Sequence, residues 1–148
     1  MENFKKTIIF DKSAITIYDA LTKSISNWWT TAFEGASNIQ GQTFTIRFGT
    51  NVFKTMRVEE LIPGKRVVWF VIDSLIDIPE LKNKTEWIST KIVWEISTVN
   101  DQTEVQLTHY GLTPQVECYN ICESGWQNFT QSLAAFVITG NGNPFKAA

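Results

Sequence analysis

The last third of the chain constrains the fold most, because its apolar residues recur at helical spacing after a long stretch of strand-like spacing. At 100° per residue, eight of them fall within about 120° of arc. They are Cys118, Cys122, Gly125, Trp126, Phe129, Leu133, Phe136 and Val137. Thr113-Pro114 is a start signal, and Gly140 followed by Pro144 is a stop signal. The pattern predicts an amphipathic helix of about 22 residues and about 33 Å, which can span a whole sheet.

Six segments before this helix are predicted to be β-strands, from alternating apolar residues or from their composition. They are residues 4–10, 42–48, 51–62, 66–73, 85–97 and 104–110. Pro63-Gly64 is a tight-turn signal and predicts a hairpin. After the first strand, Ser13 is a candidate N-cap for a short helix, and a second short turn carries Trp28 and Trp29. The last five strands follow one another as an antiparallel meander.

This order of elements predicts an α+β fold in one domain, residues 1–148. Because each strand offers mainly one apolar face and the final helix one apolar stripe, a sheet that curls around the helix buries both. A strongly curved sheet cannot touch the helix along its whole length. Where the two separate, they leave a concavity of the kind that binds small molecules.

Several of these segments, in this order, resemble the START-like superfamily. They are the run from Ser13 to Thr22 with Trp28-Trp29, the hairpin from Val58 to Trp69, Thr108 to Leu112, Gly125-Trp126 with Ser132-Leu133, and Gly140-Asn141-Gly142. Within that superfamily, also labelled SRPBCC, the sequence is most similar to the branch named for the activator of the heat shock protein 90 ATPase. The resemblance covers nearly the whole chain and implies the helix-grip fold, as in the birch-pollen-allergen-like proteins.

The superfamily includes binders of lipids, polyketides and hormones as well as cyclases and co-chaperone domains, so the resemblance implies a fold and not one activity. The chaperone activators it is named for carry a separate chaperone-binding domain at the N-terminus. No residues here correspond to such a domain, and we therefore do not expect the co-chaperone activity to transfer.

Charge and hydropathy argue against nucleic acid and membrane as partners. Lys and Arg number 13 and Asp and Glu 15, which gives a formal net charge of −2 and no basic field for phosphate binding. No stretch approaches the roughly 20 apolar residues of a membrane span, and the N-terminus has no signal-peptide core. We expect a cytoplasmic protein whose Cys118 and Cys122, four residues apart on one helix face, are reduced thiols.

The aromatic content is high, with six Trp, ten Phe and three Tyr, and predicts an extensive core, a lined cavity or both. Periodicity places many of these rings on faces that can meet. We expect the ligand-binding residues among Trp28, Trp29, Phe44, Phe48, Trp69, Trp94, His109, Cys122, Trp126 and Phe129. Packing and cavity lining are equally compatible with each ring. Of Trp28 and Trp29, at one end of the sheet, one is expected to point inward.

His109 is the only histidine and alternates with Val105 and Leu107, which turns it toward the helix. It is the one candidate for an acid–base group, although a hydrogen-bonded structural histidine is the more ordinary interpretation. Cys118, Cys122 and His109 also have the chemistry of zinc ligands. No fourth ligand stands at a recognisable spacing, so we expect buried thiols, no metal and no cofactor.

Residues 73–84 contain Leu75, Ile76, Ile78 and Leu81 and are more apolar than a solvated loop, which is typical of a lid or a covered interface. Residues 67–72 are apolar on both faces of their strand. Something is therefore expected to cover the outer face, and a second copy of the protein is one candidate.

The sequence thus favours a protein that binds a small, largely hydrophobic or aromatic molecule between sheet and helix. Two alternatives stay open: an enzyme of the cyclase or dehydratase sort in which His109 moves a proton, and an interaction module of the co-chaperone kind.

Overall fold

The computed structural model of the protein describes residues 2–146, which form a seven-stranded antiparallel sheet and three helices. The elements in chain order are β1 (Phe4–Phe10), α1 (Ala14–Lys23), α2 (Ile25–Trp28), β2 (Phe33–Gly35), β3 (Thr43–Arg47), β4 (Val52–Ile62), β5 (Arg66–Ile76), β6 (Lys91–Val99), β7 (Gln102–Tyr110) and α3 (Tyr119–Thr139).

The sheet is a meander of six strands, and β1 is added to it at one edge. The spatial order is β1-β7-β6-β5-β4-β3-β2, so β2 to β7 lie side by side in sequence and β1 pairs with β7. Register shifts interrupt the β4–β5 pairing between Thr55 and Met56 and between Val58 and Glu60. Such bulges increase local twist and bend a sheet. The curved sheet holds α3 on its concave side, and the predicted helix-grip fold is confirmed.

The sequence signals predict the ends of the helices with different accuracy. Ser13 caps α1, since its Oγ accepts a hydrogen bond from Thr16 N at 3.3 Å, as predicted. At the other end of the chain, Gly140 ends α3 in the left-handed conformation at φ 86°, and its N–H donates to Phe136 O. The start of α3 was predicted too early, because residues 113–118 form successive turns and regular helix begins only at Tyr119.

Three strand predictions need correction. The short edge strand β2 was missed, because three residues show no usable periodicity. β5 continues to Ile76, where it pairs with Val52, so the predicted loop at 73–84 begins only at residue 77. β6 begins at Lys91 and not at residue 85. Ser89 has φ 70°, which breaks an extended chain, and leaves Ile88 outside the strand and exposed.

The core between sheet and helices is built largely of indole rings. All six Trp side chains are at most 4% exposed, and Trp28 and Trp29 are both buried, although only one of them was expected to point inward. Trp28 and Trp29 stack with ring centroids 5.3 Å apart, and Trp69 meets Trp94 edge to face at 5.8 Å. Among the described residues, no helix has the length and hydropathy to cross a membrane.

Candidate functional site

An apolar cavity of about 190 Å³ lies between one end of the sheet and the first half of α3. The start of β4, the end of β5, the loop at 77–90 and α3 all contribute walls. Its lining residues are Trp29, Phe48, Val52, Lys54, Ile76, Ile78, Trp87, Ile121, Cys122, Gly125, Trp126 and Phe129. Ile121 is 42% exposed, so the cavity reaches the surface beside α3. The concavity expected between a curved sheet and a straight helix is present.

Five of the ten residues predicted to bind a ligand lie on this wall. They are Trp29, Phe48, Cys122, Trp126 and Phe129. Trp126 and Trp29 form the inner end, with ring centroids 5.1 Å apart, and both are buried. Phe48 and Phe129 meet at 5.5 Å nearer the surface, and both are half-buried. The wall is therefore aromatic from its floor to its mouth.

The other five predicted residues do not line the cavity. They are Trp28, Phe44, Trp69, Trp94 and His109. They sit deeper, in the core: the indole of Trp28 donates to Ala20 O at 2.9 Å, and Phe44 packs edge-on against Trp69 at 5.3 Å. Periodicity assigns the four strand residues among them to the inner face of the sheet, whereas Trp28 lies in the short helix α2. Periodicity cannot show at which point along the sheet the helix separates from the sheet, and that point decides which rings face the cavity.

His109 is held in one neutral form by its neighbours. The indole N–H of Trp126, which can only donate, lies 3.0 Å from Nδ1, so Nδ1 carries no proton. Nε2 therefore bears the hydrogen and donates to Thr90 Oγ1 at 2.9 Å, and that hydroxyl donates to Trp87 O at 2.6 Å. Burial lowers the pKa of His109 to about 3, with the charge of Lys54 acting in the same direction. Both ring nitrogens are engaged inside the core.

Lys54 is the one charged residue among the lining residues. Its Nζ stands 4.8 Å from the ring centroid of Phe48 and 4.4 Å from that of Trp87. Both distances are within the range of cation–π attraction. Desolvation lowers the pKa of Lys54, and the thiols of Cys122 and Cys118 act weakly against it. The cavity thus has one polar position on an otherwise apolar wall.

The two cysteines are buried next to each other and carry free thiols. Their sulfurs are 2.8 Å apart, and the indole N–H of Trp87 donates to Cys122 Sγ at 3.1 Å. The hydrogen bond between the two thiols is the main cause that lowers the pKa of Cys122, and Lys54 and Trp87 add to it. Among residues 2–146, no group of three or more His, Cys, Asp or Glu side chains is placed to hold a metal ion.

Sequence reasoning missed two important wall residues, Lys54 and Trp87. A signal for Lys54 existed, because Val52, Met56 and Val58 alternate with it and all four share the inner face of β4. The predicted strand at 85–97 includes Trp87, and alternation within it places Trp87 on the face opposite the inner one. The observed strand β6 starts only at Lys91, so Trp87 lies in the loop before it. The loop conformation that buries Trp87 follows from contacts with α3 and carries no periodic signal.

Known proteins share this architecture and part of this sequence. The solution structure of the Aha1 dimer from Colwellia psychrerythraea is 30% identical and has a TM-score of 0.78, and the match covers 96% of this chain and 100% of that one. CalU16 from Micromonospora echinospora is 15% identical with a TM-score of 0.67, over 94% of this chain and 75% of that one. DynU16, from the dynemicin biosynthetic locus, is 14% identical with a TM-score of 0.73, over 96% of this chain and 49% of that one.

The two proteins at 14% and 15% identity share the fold alone. No curated protein matches the sequence. The family described as "Activator of Hsp90 ATPase homolog 1-like protein" matches residues 11–137, which is most of the chain and includes the strands and the helix that wall the cavity. The Colwellia relative points to the same family. The chain belongs to the family of activator of Hsp90 ATPase homolog 1-like proteins.

Proposed function

We propose that the protein binds a small, largely apolar or aromatic molecule in the cavity between the sheet and α3. The observation that carries the proposal is the aromatic wall, in which Trp29, Trp87 and Trp126 close the inner part and Phe48 and Phe129 flank the outer part. Small-molecule sites have this character, a concave apolar surface with a few polar groups that orient the ligand.

The volume limits the size of the ligand. An engineered apolar cavity of about 150 Å³ holds one benzene molecule. At about 190 Å³, the cavity has room for one aromatic ring and a short substituent or for an alkyl chain of similar bulk. A longer ligand has to extend through the mouth beside Ile121.

A reaction catalysed by His109 lacks comparable support. Proton transfer requires the base to approach the reacting atom within hydrogen-bond distance. His109 lies behind Trp87 and Trp126 and is fully buried, and its nitrogens are occupied by Trp126 and Thr90. Binding is the function that the geometry favours.

Native mass spectrometry of gently purified protein tests whether a molecule is retained, and denaturing extraction then identifies it. Titration with toluene, followed by protein NMR, tests the cavity directly. We expect saturable shifts for residues on the wall, and a several-fold weaker affinity in Phe129→Ala, which removes one wall ring. Phe53→Ala is the matched control, because Phe53 lies on the other face of β4 beneath the guanidinium of Arg47. Toluene shifts that do not saturate, or that map elsewhere, would contradict the proposal.

We also infer that two copies of the chain associate through the outer face of the sheet. The Colwellia relative is a dimer by its description. On this chain the outer face of β5 carries Phe70 and Ile72, and Tyr110 lies in the same cross-strand row as Phe70, with the exposed Lys91 between them. Arg57 covers part of the Phe70 ring, whereas Ile72 is 36% and Tyr110 45% exposed. The chain itself therefore covers only part of this apolar face.

A further inference from the structure

Lys54 is the one basic side chain on the cavity wall, and no group in the described chain would neutralise its ammonium form. Within residues 2–146, its ammonium has no ion-pair partner within 4.0 Å and no hydrogen-bond acceptor. Its neighbours are the faces of Phe48 and Trp87, which attract a cation but accept no proper hydrogen bond. A methionine of similar length would line the same wall without the cost of desolvating a charge.

A second unsatisfied polar group stands beside Lys54. Ser74 of β5 is its direct cross-strand partner, so both side chains project from the same face of the sheet. The Ser74 hydroxyl is buried and has no hydrogen-bond partner in the described structure. Only two other buried side-chain donors there share this state, the indole N–H groups of Trp69 and Trp94. The Ser74 oxygen has almost no accessible surface and Ser74 is not among the lining residues, so a ligand in the cavity meets Lys54 and not Ser74.

An unpaired ammonium on an otherwise apolar wall is complementary to a ligand that combines an apolar body with one anionic group. Resting on the proposed function of the cavity, we propose that the ligand is a small amphiphilic carboxylate. Its apolar part occupies the aromatic cavity, and its carboxylate is held by Lys54 Nζ, the one cation on the wall. One cation at the site matches one negative charge, and a carboxylate is a small organic anion that accepts a charge-assisted hydrogen bond from an ammonium.

The volume agrees with an aryl-alkanoate containing a single ring. The ring requires most of the 190 Å³, and a two- or three-atom linker reaches the sheet wall at β4. A neutral ligand of the same shape would leave the ammonium unpaired and desolvated. Selectivity for the carboxylate over its neutral analogue is therefore the property that distinguishes this site from a purely apolar one.

The test compares 3-phenylpropanoate with 3-phenylpropanamide, which have the same ring and linker and differ in charge. Affinities are measured by calorimetry or NMR titration for the wild type, Lys54→Met, Ser74→Ala and a control, Lys65→Met. Lys65 is exposed in the turn after β4, at the opposite end of that strand from Lys54. We expect the wild type and Lys65→Met to bind the acid at least about tenfold more tightly than the amide, as for a charge-assisted hydrogen bond.

In Lys54→Met we expect the acid to lose at least about tenfold in affinity while the amide changes by less than about threefold. In Ser74→Ala we expect both affinities to stay within about threefold of the wild type, because Ser74 does not line the cavity. If both probes bind in the cavity and Lys54→Met leaves their affinity ratio unchanged, the carboxylate assignment is wrong and the apolar binding function stands. If toluene and both probes fail to bind at millimolar concentration, the proposed function itself is wrong.

One measurement avoids variants altogether. With the wild-type protein and bound 3-phenylpropanoate, nuclear Overhauser effects should connect the methylene next to the carboxylate with Lys54 Hε, and the ring protons with Trp126 and Phe129. The reverse orientation, with the ring against Lys54 and the carboxylate at the mouth, would overturn the assignment even if the acid binds well.

Discussion

At the scale of single residues, His109 shows how a titratable group is used as a structural part. It joins α3 to the sheet through Trp126 Nε1 and joins β7 to the loop at 77–90 through Thr90, so one ring satisfies donors and acceptors of three elements. The network is complete only with the proton on Nε2. A protonated ring would place a second hydrogen against the Trp126 donor and bury a charge.

The first prediction follows from this arrangement. The folded pKa, about 3, lies below the ordinary value of 6.5, so protons bind preferentially to the unfolded chain. The contribution of His109 to the free energy of unfolding is fully present at pH values above its pKa in the unfolded chain. It is lost as the pH falls from 6.5 toward 3, at up to about 1.4 kcal/mol of unfolding free energy per pH unit.

Denaturant titrations between neutral and acid pH, compared with those of His109→Gln, isolate this slope, because the variant lacks the titrating group. The signal of the only histidine in NMR spectra should keep the Nε2–H tautomer down to about pH 4. Titration of this signal near pH 6.5 would show that the ring is accessible to solvent and would contradict the buried hydrogen-bond network.

At the scale of elements, two carboxylates tie the loop at 77–90 to the start of α3. Glu86 accepts from the backbone N–H groups of Glu117 and Cys118 at 2.8 and 2.9 Å, which replaces the side-chain cap that Cys118 cannot supply. In the opposite direction, Glu117 accepts from the N–H groups of Lys82 and Asn83. The loop that carries Trp87 and Ile78 into the cavity wall is thereby fixed against the helix.

The second prediction concerns this tie. In Glu117→Gln, a neutral amide replaces the carboxylate, and we expect faster hydrogen exchange at the amides of Lys82 and Asn83 while the β6 and β7 amides are unchanged. Hydrogen bonds from these two amides lower the pKa of Glu117, Asn83 first, so their protection relative to the intrinsic exchange rate should also fall in the wild type once the pH is below that lowered pKa. Glu80→Gln, an exposed carboxylate in the same loop, is the control and should leave both amides protected.

The third prediction concerns Gly125 in the middle of α3. A Cβ at this position would meet no atom within 4 Å, and the residue lines the cavity. Gly125→Ala should therefore raise the unfolding free energy by about 0.5–1 kcal/mol through helix propensity, and Gly125→Leu should fill the cavity and abolish toluene binding. Ser124→Ala, on the exposed side of the same turn, should leave the affinity unchanged. Undiminished toluene affinity in Gly125→Leu would mean that the ligand binds elsewhere.

The elements also show what a single sequence can predict. Residues 4–10, the hairpin around Pro63-Gly64 and the long α3 were predicted well, because each combines a clear period with a turn or cap signal. The loop at 77–90 was not, since its path depends on Glu86 and Glu117 finding backbone amides far along the chain. Half of the cavity wall was predictable from inner-face periodicity. The other half depends on this loop and on the depth at which α3 leaves the sheet.

At the scale of the whole molecule, the chain is a helix-grip domain of this family, and the outer face of its sheet is the proposed dimer interface. The cavity opens beside Ile121 on α3, whereas Phe70 and Ile72 lie on the opposite face of the sheet. Association through that face would leave both cavities open to solvent. Dimerisation and ligand binding are then expected to be independent.

The fourth prediction is that light scattering at increasing concentration gives a mass approaching twice the 16.9 kDa of one chain. Ile72→Lys should shift the equilibrium toward the monomer, because it places a charge in the apolar patch. Ile138→Lys, at an isoleucine on α3 that is 57% exposed against 36% for Ile72, should have no such effect. A constant mass of one chain at high concentration would contradict the dimer.

The contacts among the indoles also determine how the protein handles light. Each of the six tryptophans lies within about 6 Å of another, centroid to centroid, in one connected set, and three of its members are on the cavity wall. At such separations, electronic excitation passes between rings faster than it is emitted, so the set fluoresces as one chromophore. A molecule that enters the cavity and touches only Trp29, Trp87 and Trp126 should therefore alter the emission of the whole protein. The chain contains its own optical reporter of occupancy.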